Sequence, residues 1–437
     1  MLILSLTMIT FFITRVFWNF SLVFSFLMVF SVFSVFLLNI SYILSPFFYS
    51  EISIQTDRVS YTLMYITFII LLLCHVAHTY QTSHYQFTFT ILSVLVTSYF
   101  VFSRNNFLIL YISYEASLIP IVYTILKWGP YPDRQQSALV ILIFTSFFTF
   151  PMAILILINF ITYSSLIFFI INFDTFSLFI SLWLLFSFAV KLPVYGLHYW
   201  LPIAHVEAPT FGSIILAGLL LKLGGCGLLR ILPPIVPGLT SIFRYSGAFV
   251  MFGVIFRAIL CTFQSDFKRL VAYSSVSHMS VLLLLLFNPT VSSEISFSFL
   301  IIFHGVSSPL LFFLVGTISL LYGSRELILT RGLLYFSPFL SFLATLTFLV
   351  SIPVPPLPAF FIEVLSFFSL VLLSPLVYPV IALAVFLSLL YSLMWFTSIT
   401  FSRQQNDNLN FVIRINIHFV VVLFCFSSFS LFAFLII

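Results

Sequence analysis

The chain has 437 residues, of which 62% are hydrophobic and only 6% charged, with a formal net charge of +5; its mean hydropathy is +1.24. That balance excludes a soluble globular domain and predicts an all-α polytopic membrane protein, because long apolar runs read as helical spans. No polar stretch exceeds about fifteen residues, roughly the upper length of a connecting loop, which leaves no room for a flavin-, nucleotide- or nucleic-acid-binding domain. The basic residues are scattered over loops, a pattern of membrane topology and not of nucleic-acid binding.

In chain order, fourteen apolar segments are predicted, roughly 1–14, 16–46, 59–80, 86–103, 107–127, 137–162, 174–200, 208–231, 244–264, 269–288, 295–322, 336–372, 376–400 and 411–436. The first opens the chain directly, with no Arg- and Ser-rich presequence. The 60 phenylalanines fit a T-rich coding strand, which hints at an organelle genome. Cys74, Cys226, Cys261 and Cys425 stand apart, without CxxC or His/Cys spacing, so neither a disulfide nor a metal site is expected. The seventh segment is interrupted by Pro193 and Pro202, the twelfth by Pro353, Pro355, Pro356 and Pro358. Proline removes a donor and crowds the preceding turn. Broken helices at membrane depth survive where protein or water satisfies the freed groups, so both breaks are expected to face an internal hydrated cavity. The chain ends at Ile437, straight after its last segment, so an extended lateral helix is not expected.

The odd-numbered loops carry nine Lys or Arg residues and the even-numbered loops four. Positive-inside bias therefore puts the odd loops on one face and both termini on the other. The two broken segments lie five apart, which divides the chain into helices 1–3 (1–85), a first five-helix unit (86–231), a second (244–400) and helix 14 (401–437). Five is odd, so the units would be inverted repeats of the kind transporters use.

Four ionisable residues lie inside apolar runs: Glu115, Lys191, Lys222 and Glu363. A charge at the bilayer centre costs about 2.5–3.5 kcal/mol on insertion scales, so each is a functional-site candidate. Glu115 lies eight residues into its run, about 12 Å along a helix; the alternative is a carboxyl neutralised by protonation or bonded to Ser113 and Ser117. Lys191 precedes the Pro193 break, and snorkelling to an interface is its alternative. Burial favours a neutral amine and a nearby carboxylate favours the ammonium, so a lysine held between the two changes protonation when its partner moves. His198 and His205 follow Lys191 at steps of seven, which on a continuous helix is nearly one face, and imidazole suits a relay. Lys222 sits among small residues that let helices pack closely. Glu363 follows the proline cluster, where capping a helix N-terminus is the alternative. His278 and His304 fall between Lys222 and Glu363 in chain order and are positioned to bridge them, or to serve as bonded core histidines. Asp266, Lys268 and Arg269 read as a solvated or headgroup-facing loop; His75, His78, His84 and His418 read as interfacial or packing residues.

These residues carry a resemblance. Tyr114-Glu115-Ala116-Ser117-Leu118-Ile119-Pro120 with Lys127-Trp128-Gly129, Lys191-Leu-Pro-Val-Tyr-Gly-Leu-His198-Tyr-Trp-Leu-Pro-Ile-Ala-His205-Val-Glu207-Ala-Pro209, Leu221-Lys222-Leu-Gly-Gly-Cys-Gly227, and Asp266-Phe-Lys268-Arg269 through His278-Met279 resemble the chain-4 family of antiporter-like subunits of NADH:ubiquinone oxidoreductase, respiratory complex I. His304-Gly305, Arg331-Gly332 and Pro355-Pro356 with Glu363 continue the order, and the resemblance spans about residues 107–364. It implies a proton-translocating subunit with fourteen helices, two inverted five-helix repeats and broken helices 7 and 12. Glu115 and Lys191 match the family's glutamate–lysine pair, Lys222 its central lysine, and Glu363 its terminal glutamate. Ile203, Ala359 and Ile362 depart from the family's usual lysine, asparagine and glycine.

The resemblance also implies a multi-pass protein of the mitochondrial inner membrane. It would be part of an H+-translocating NADH:ubiquinone reductase and hold no redox centre or cofactor itself. NADH, FMN, iron–sulfur clusters and ubiquinone would belong to partner subunits. Partners would be other membrane-arm subunits, including sister antiporter-like chains, and lipids, but no nucleic acid. The alternatives are a subunit of a multi-subunit sodium/proton antiporter and a structural spacer.

Overall fold

The computed structural model describes residues 58–77, 84–103, 106–163, 178–287, 290–336, 338–353, 355, 358–371 and 377–401. The segments expected at 1–14, 16–46 and 411–436 lie outside them. The described residues are helical throughout, apart from turns and one isolated bridge between Asp266 and Glu326. Six of their helical stretches are long and apolar enough to cross a membrane: Phe107–Trp128, Arg134–Ile158, Thr210–Arg230, Phe267–Leu286, Ser292–Tyr322 and Tyr378–Thr400.

The helices follow the predicted segments in order: α1 (Arg58–Ala77), α2 (His84–Ser103), α3 (Phe107–Ala116), α4 (Leu118–Trp128) and α5 (Arg134–Tyr163). Then come α6 (Leu178–Ala189), α7 (Trp200–Glu207), α8 (Thr210–Ile215), a π-helical turn (Leu216–Leu220) and α9 (Leu221–Thr262). The rest are α10 (Phe267–Leu286), α11 (Val291–Tyr322), α12 (Leu333–Phe336), α13 (Pro338–Ser351), α14 (Pro358–Val371) and α15 (Val377–Thr400). Polar caps mark the starts that face loops. Asn106 accepts from Leu108 N–H, Asp266 from Lys268 N–H, and Thr290 forms a capping box with Ser293. Serines and threonines inside the apolar helices donate back to carbonyls one turn earlier, as Thr67 does to Met64 and Thr124 to Ile121. They need no partner from a neighbouring helix.

Both expected breaks are present. The seventh segment ends as helix at Ala189, runs through turns to Tyr199 and resumes at Trp200. Gly196 takes φ 91°, a conformation that favours glycine, and the Trp200 indole donates to Val190 O at 3.0 Å, satisfying a carbonyl within the break. The twelfth divides into α13 and α14 on either side of its prolines. The fifth segment also divides, at Ser117: Pro120 has no N–H for Ala116 and crowds its carbonyl. One expectation is corrected. The loop placed between the eighth and ninth segments does not form, and the backbone is helical from Leu221 to Thr262. Pro233, Pro234 and Pro237 each remove a ladder donor, yet the backbone stays helical through them in a 42-residue element, about twice as long as the hydrocarbon is thick.

The core is built on two of these stretches. Of the most apolar 18 residues in each stretch, 94% are buried in Thr210–Arg230 and 89% in Ser292–Tyr322, against 17% in Tyr378–Thr400 and 33% in Arg134–Ile158. The outer helices instead present Phe147, Phe150, Phe386 and Met394 outward, as a lipid-facing surface does. α11 is the hub, packed against α1, α8, α10, α13 and α14. Glycines bring α9 onto the break: a Cβ at Gly224 would stand 3.1 Å from Lys191 Cβ and 3.2 Å from Leu192 N and Phe188 O. At Gly227 it would stand 2.2 Å from the Phe188 ring. Gly227→Ala is therefore expected to cost about 1–3 kcal/mol by overpacking, read as a lower thermal transition of the purified protein. An unchanged transition would mean that Phe188 moves aside freely.

Candidate functional site

The first cluster joins α3 to the seventh-helix break. Lys191 is fully buried, and its Nζ donates to Tyr114 O at 2.7 Å, 3.0 Å from the centroid of the Tyr114 ring. The Tyr114 hydroxyl in turn donates to Ser187 O at 3.2 Å. Glu115, next in the chain, lies within electrostatic range of Lys191, but no ion pair joins them within 4.0 Å. Its Oε1 is buried with no hydrogen-bond partner. The expected pair is thus two groups flanking one peptide, with the Tyr114 carbonyl holding the ammonium. Ser113 and Ser117 donate to backbone carbonyls at 2.7 and 2.6 Å and leave Glu115 unbonded, so the serine alternative is not formed.

The second cluster is centred on Lys222, also fully buried. The π turn just before it alters the usual backbone pairing, and Lys222 Nζ donates to Ala217 O at 2.5 Å. The same nitrogen lies 2.8 Å from His304 Nδ1 on α11, where Gly305 leaves room: a Cβ there would meet Lys222 Cε at 3.3 Å. Whichever of the two nitrogens holds the proton donates to the other. The His304 ring centroid is 6.0 Å from that of His278 on α10. His278 Nδ1 lies 3.6 Å from Glu363 Oε1 on α14. Glu363 therefore faces a histidine from inside its helix and does not cap a terminus, and both histidines lie between Lys222 and Glu363, His304 first and His278 second, the reverse of their chain order.

A cavity of about 60 Å³ adjoins this line, bordered by His278, His304, Glu363, Tyr391 and Trp395, with seven serines. A water takes at least ~10–15 Å³ of such space, so a few fit. Ser274, Ser308 and Ser392 donate to their own helices' carbonyls and keep lone pairs to offer, while Trp395 Nε1 is a buried donor with no partner. The cavity lies beside the twelfth-helix break, bordered there by Ser351 and Pro353.

His198 and His205 are not joined to either lysine by a hydrogen bond. His205 stacks on Phe312 with centroids 4.4 Å apart and both ring nitrogens buried and unbonded. His198 stacks on Tyr199 and Tyr195. The break puts His198 outside any helix, so the single-face alignment with Lys191 is lost.

At one end of the described helices, loops 5, 7, 9 and 11 converge. Arg325 donates to Val206 O at 2.9 Å, lies 3.6 Å over the Tyr131 ring and stands 4.0 Å from Asp266. Lys268 is corrected from a solvated residue to a buried one whose Nζ bonds Ala208 O. Glu207 is buried beside them; burial pushes its carboxyl above the usual range, opposed by Arg325.

Sequence reasoning missed three features. The π turn leaves no compositional trace. Arg230, whose guanidinium caps the end of α2 by donating to Val101 O (2.9 Å) and Phe102 O, read only as a loop charge. Arg257, an arginine inside the ninth apolar segment, carried the same signal as Lys222 and went unweighed.

A bundle of apolar helices that sets Lys222, His304, His278 and Glu363 in one series, with Lys191 held at one broken helix and Glu363 just after another, is an antiporter-like ion translocator. Residues 104–390 match the family model described as NADH:quinone oxidoreductase/Mrp antiporter, TM. NADH-ubiquinone oxidoreductase chain 4 of Paracentrotus lividus is 33% identical over 353 residues, 78% of this chain and 74% of that one. The Caenorhabditis elegans chain of the same name is 36% identical over 296 residues, 67% and 70% of the two chains. In fold, a chain of respiratory complex I from Thermus thermophilus with bound NADH superposes with a TM-score of 0.72, covering 86% of this chain and 85% of its own at 22% identity. This chain belongs to the NADH:quinone oxidoreductase/Mrp antiporter transmembrane family.

Proposed function

We propose that this chain is the antiporter-like, proton-translocating subunit of the membrane arm of respiratory complex I in the mitochondrial inner membrane, coupling NADH:ubiquinone electron transfer to proton pumping. The observation that carries this reading is the series Lys222–His304–His278–Glu363, buried at its lysine end, beside a serine-rich cavity. NADH, FMN, iron–sulfur clusters and ubiquinone are assigned to partner subunits, among them sister antiporter-like chains. The full bundle is assigned fourteen helices, with 86–231 and 244–400 as inverted five-helix repeats; the paired breaks support that division.

In this reading Glu115 stabilises the charged form of Lys191. When a neighbouring subunit draws Glu115 away, the proton on Lys191 loses its electrostatic support. It passes through His198, His205 or water to Lys222. Lys222 hands it to His304 across 2.8 Å, and water in the adjoining cavity carries it on to His278 and, across a 3.6 Å gap, to Glu363. Burial makes each ion sensitive to its neighbour's charge, since electrostatic interactions strengthen in a low-dielectric interior.

The runner-up is a sodium/proton antiporter subunit, which the family also includes. Proton pumping by the reconstituted complex in nominally sodium-free medium separates them. Full pumping is expected; a requirement for sodium would replace this reading with the antiporter.

A further inference from the structure

Arg257 is buried, and its Nε, Nη1 and Nη2 are all inaccessible and without a hydrogen-bond partner. A guanidinium has five donors and no deprotonated escape in ordinary conditions, so a dry, unpaired one is a large uncompensated cost. Among the described residues, the groups that act on it electrostatically are His198, Tyr195, Tyr199, Tyr273 and Cys261, none of them a carboxylate. Its guanidinium carbon lies 5.4 Å from the Tyr195 ring centroid, and the same ring stacks on His198, whose Nδ1 is a further buried nitrogen without a partner. Gly253, one turn before, holds α9 against the break: a Cβ there would stand 2.5 Å from Tyr195 Cβ.

We propose that Arg257 and His198 form a site for the headgroup phosphate of an anionic membrane phospholipid, seated where α9 crosses the seventh-helix break. A phosphate supplies the acceptor oxygens that these donors lack, with guanidinium forming charge-assisted bonds. Depth favours a lipid. Arg257 is five residues before the end of α9, about 7.5 Å along the helix, within reach of an interface for a long cationic side chain. That end also carries Arg269, exposed beside the start of α10, a cation that attracts anionic headgroups. The nearby face is aromatic and outward-facing: Tyr199 is 62% and Phe252 58% exposed, as in an aromatic belt.

The test uses the purified complex in phosphatidylcholine vesicles doped with a photoactivatable phosphatidylglycerol, with cross-links mapped by mass spectrometry. Labelling is expected on the peptides holding Tyr199 and Phe252, competed by unlabelled phosphatidylglycerol and not by added phosphatidylcholine. Arg257→Gln should reduce it about tenfold and Arg257→Lys should retain most of it, as expected for loss or retention of a charge-assisted contact. Labelling that is absent, equally competed by phosphatidylcholine, or unchanged in Arg257→Gln overturns the proposal. So does a cross-link from this site to a neighbouring subunit's helix, which would mean that a protein carboxylate pairs with Arg257. If Arg257→Gln does not assemble, competition on the parent complex decides.

Discussion

Lys222→Met is expected to abolish proton pumping in a complex that still assembles. Methionine matches the length and apolar stem of lysine and removes only the ammonium, the group that bonds Ala217 O and meets His304 Nδ1 at 2.8 Å. The structural penalty is limited: one buried carbonyl loses its donor, about 1–3 kcal/mol, offset by no longer burying an ammonium. The functional penalty is the loss of the lysine that bonds His304 Nδ1 and hands it a proton, and proton-transfer groups are worth roughly 10²–10⁴-fold. Lys222→Arg sharpens the result. Arginine keeps the charge and cannot release it, so it should pump no better than methionine. Dye-quench measurements of protons moved per NADH oxidised read both variants. Normal pumping in the arginine variant would show that Lys222 supplies charge and not a proton.

Glu363→Gln should produce the second-largest loss. Glutamine has nearly the same volume and still offers an oxygen at the 3.6 Å position facing His278, so packing along α14 and the cavity wall is conserved. It has no titrating proton, and the line from Lys222 then ends on a group that receives nothing. Pumping is expected to fall roughly a hundredfold with assembly unchanged. Glu363→Asp should retain part of it, because the shorter side chain titrates but draws back from His278. Aspartate and glutamine variants with the same residual pumping would make Glu363 a spacer of the cavity wall.

Much of this arrangement was legible in the sequence. Prolines at 193 and 353–358 disclosed both breaks, because a missing donor acts on local backbone whatever surrounds it. Glu115, Lys191, Lys222 and Glu363 stood out because membrane cost makes any buried ion conspicuous. What the sequence did not disclose is who meets whom. The Tyr114 carbonyl, and not Glu115, bonds Lys191, a choice set by how α3 lies against the break. Lys268 resembles a loop cation beside its capping Asp266, yet it is buried by a contact to Ala208, 60 residues away. The π turn before Lys222 looks like any small-residue stretch, because a one-residue widening has no composition of its own. The Pro233–Pro237 region read as a loop because prolines usually end helices; here their fixed φ is accommodated inside α9.

The central claim is that the buried ions carry protons and do not merely persist in the bundle. Lys191→Met in the reconstituted complex tests it most directly, with protons pumped per electron measured alongside NADH oxidation and native gels to follow assembly. Pumping and NADH oxidation should collapse together while the assembled complex remains at its normal size and amount. If both activities survive in the assembled variant, the charges serve structure alone, and the chain is a spacer in the membrane arm.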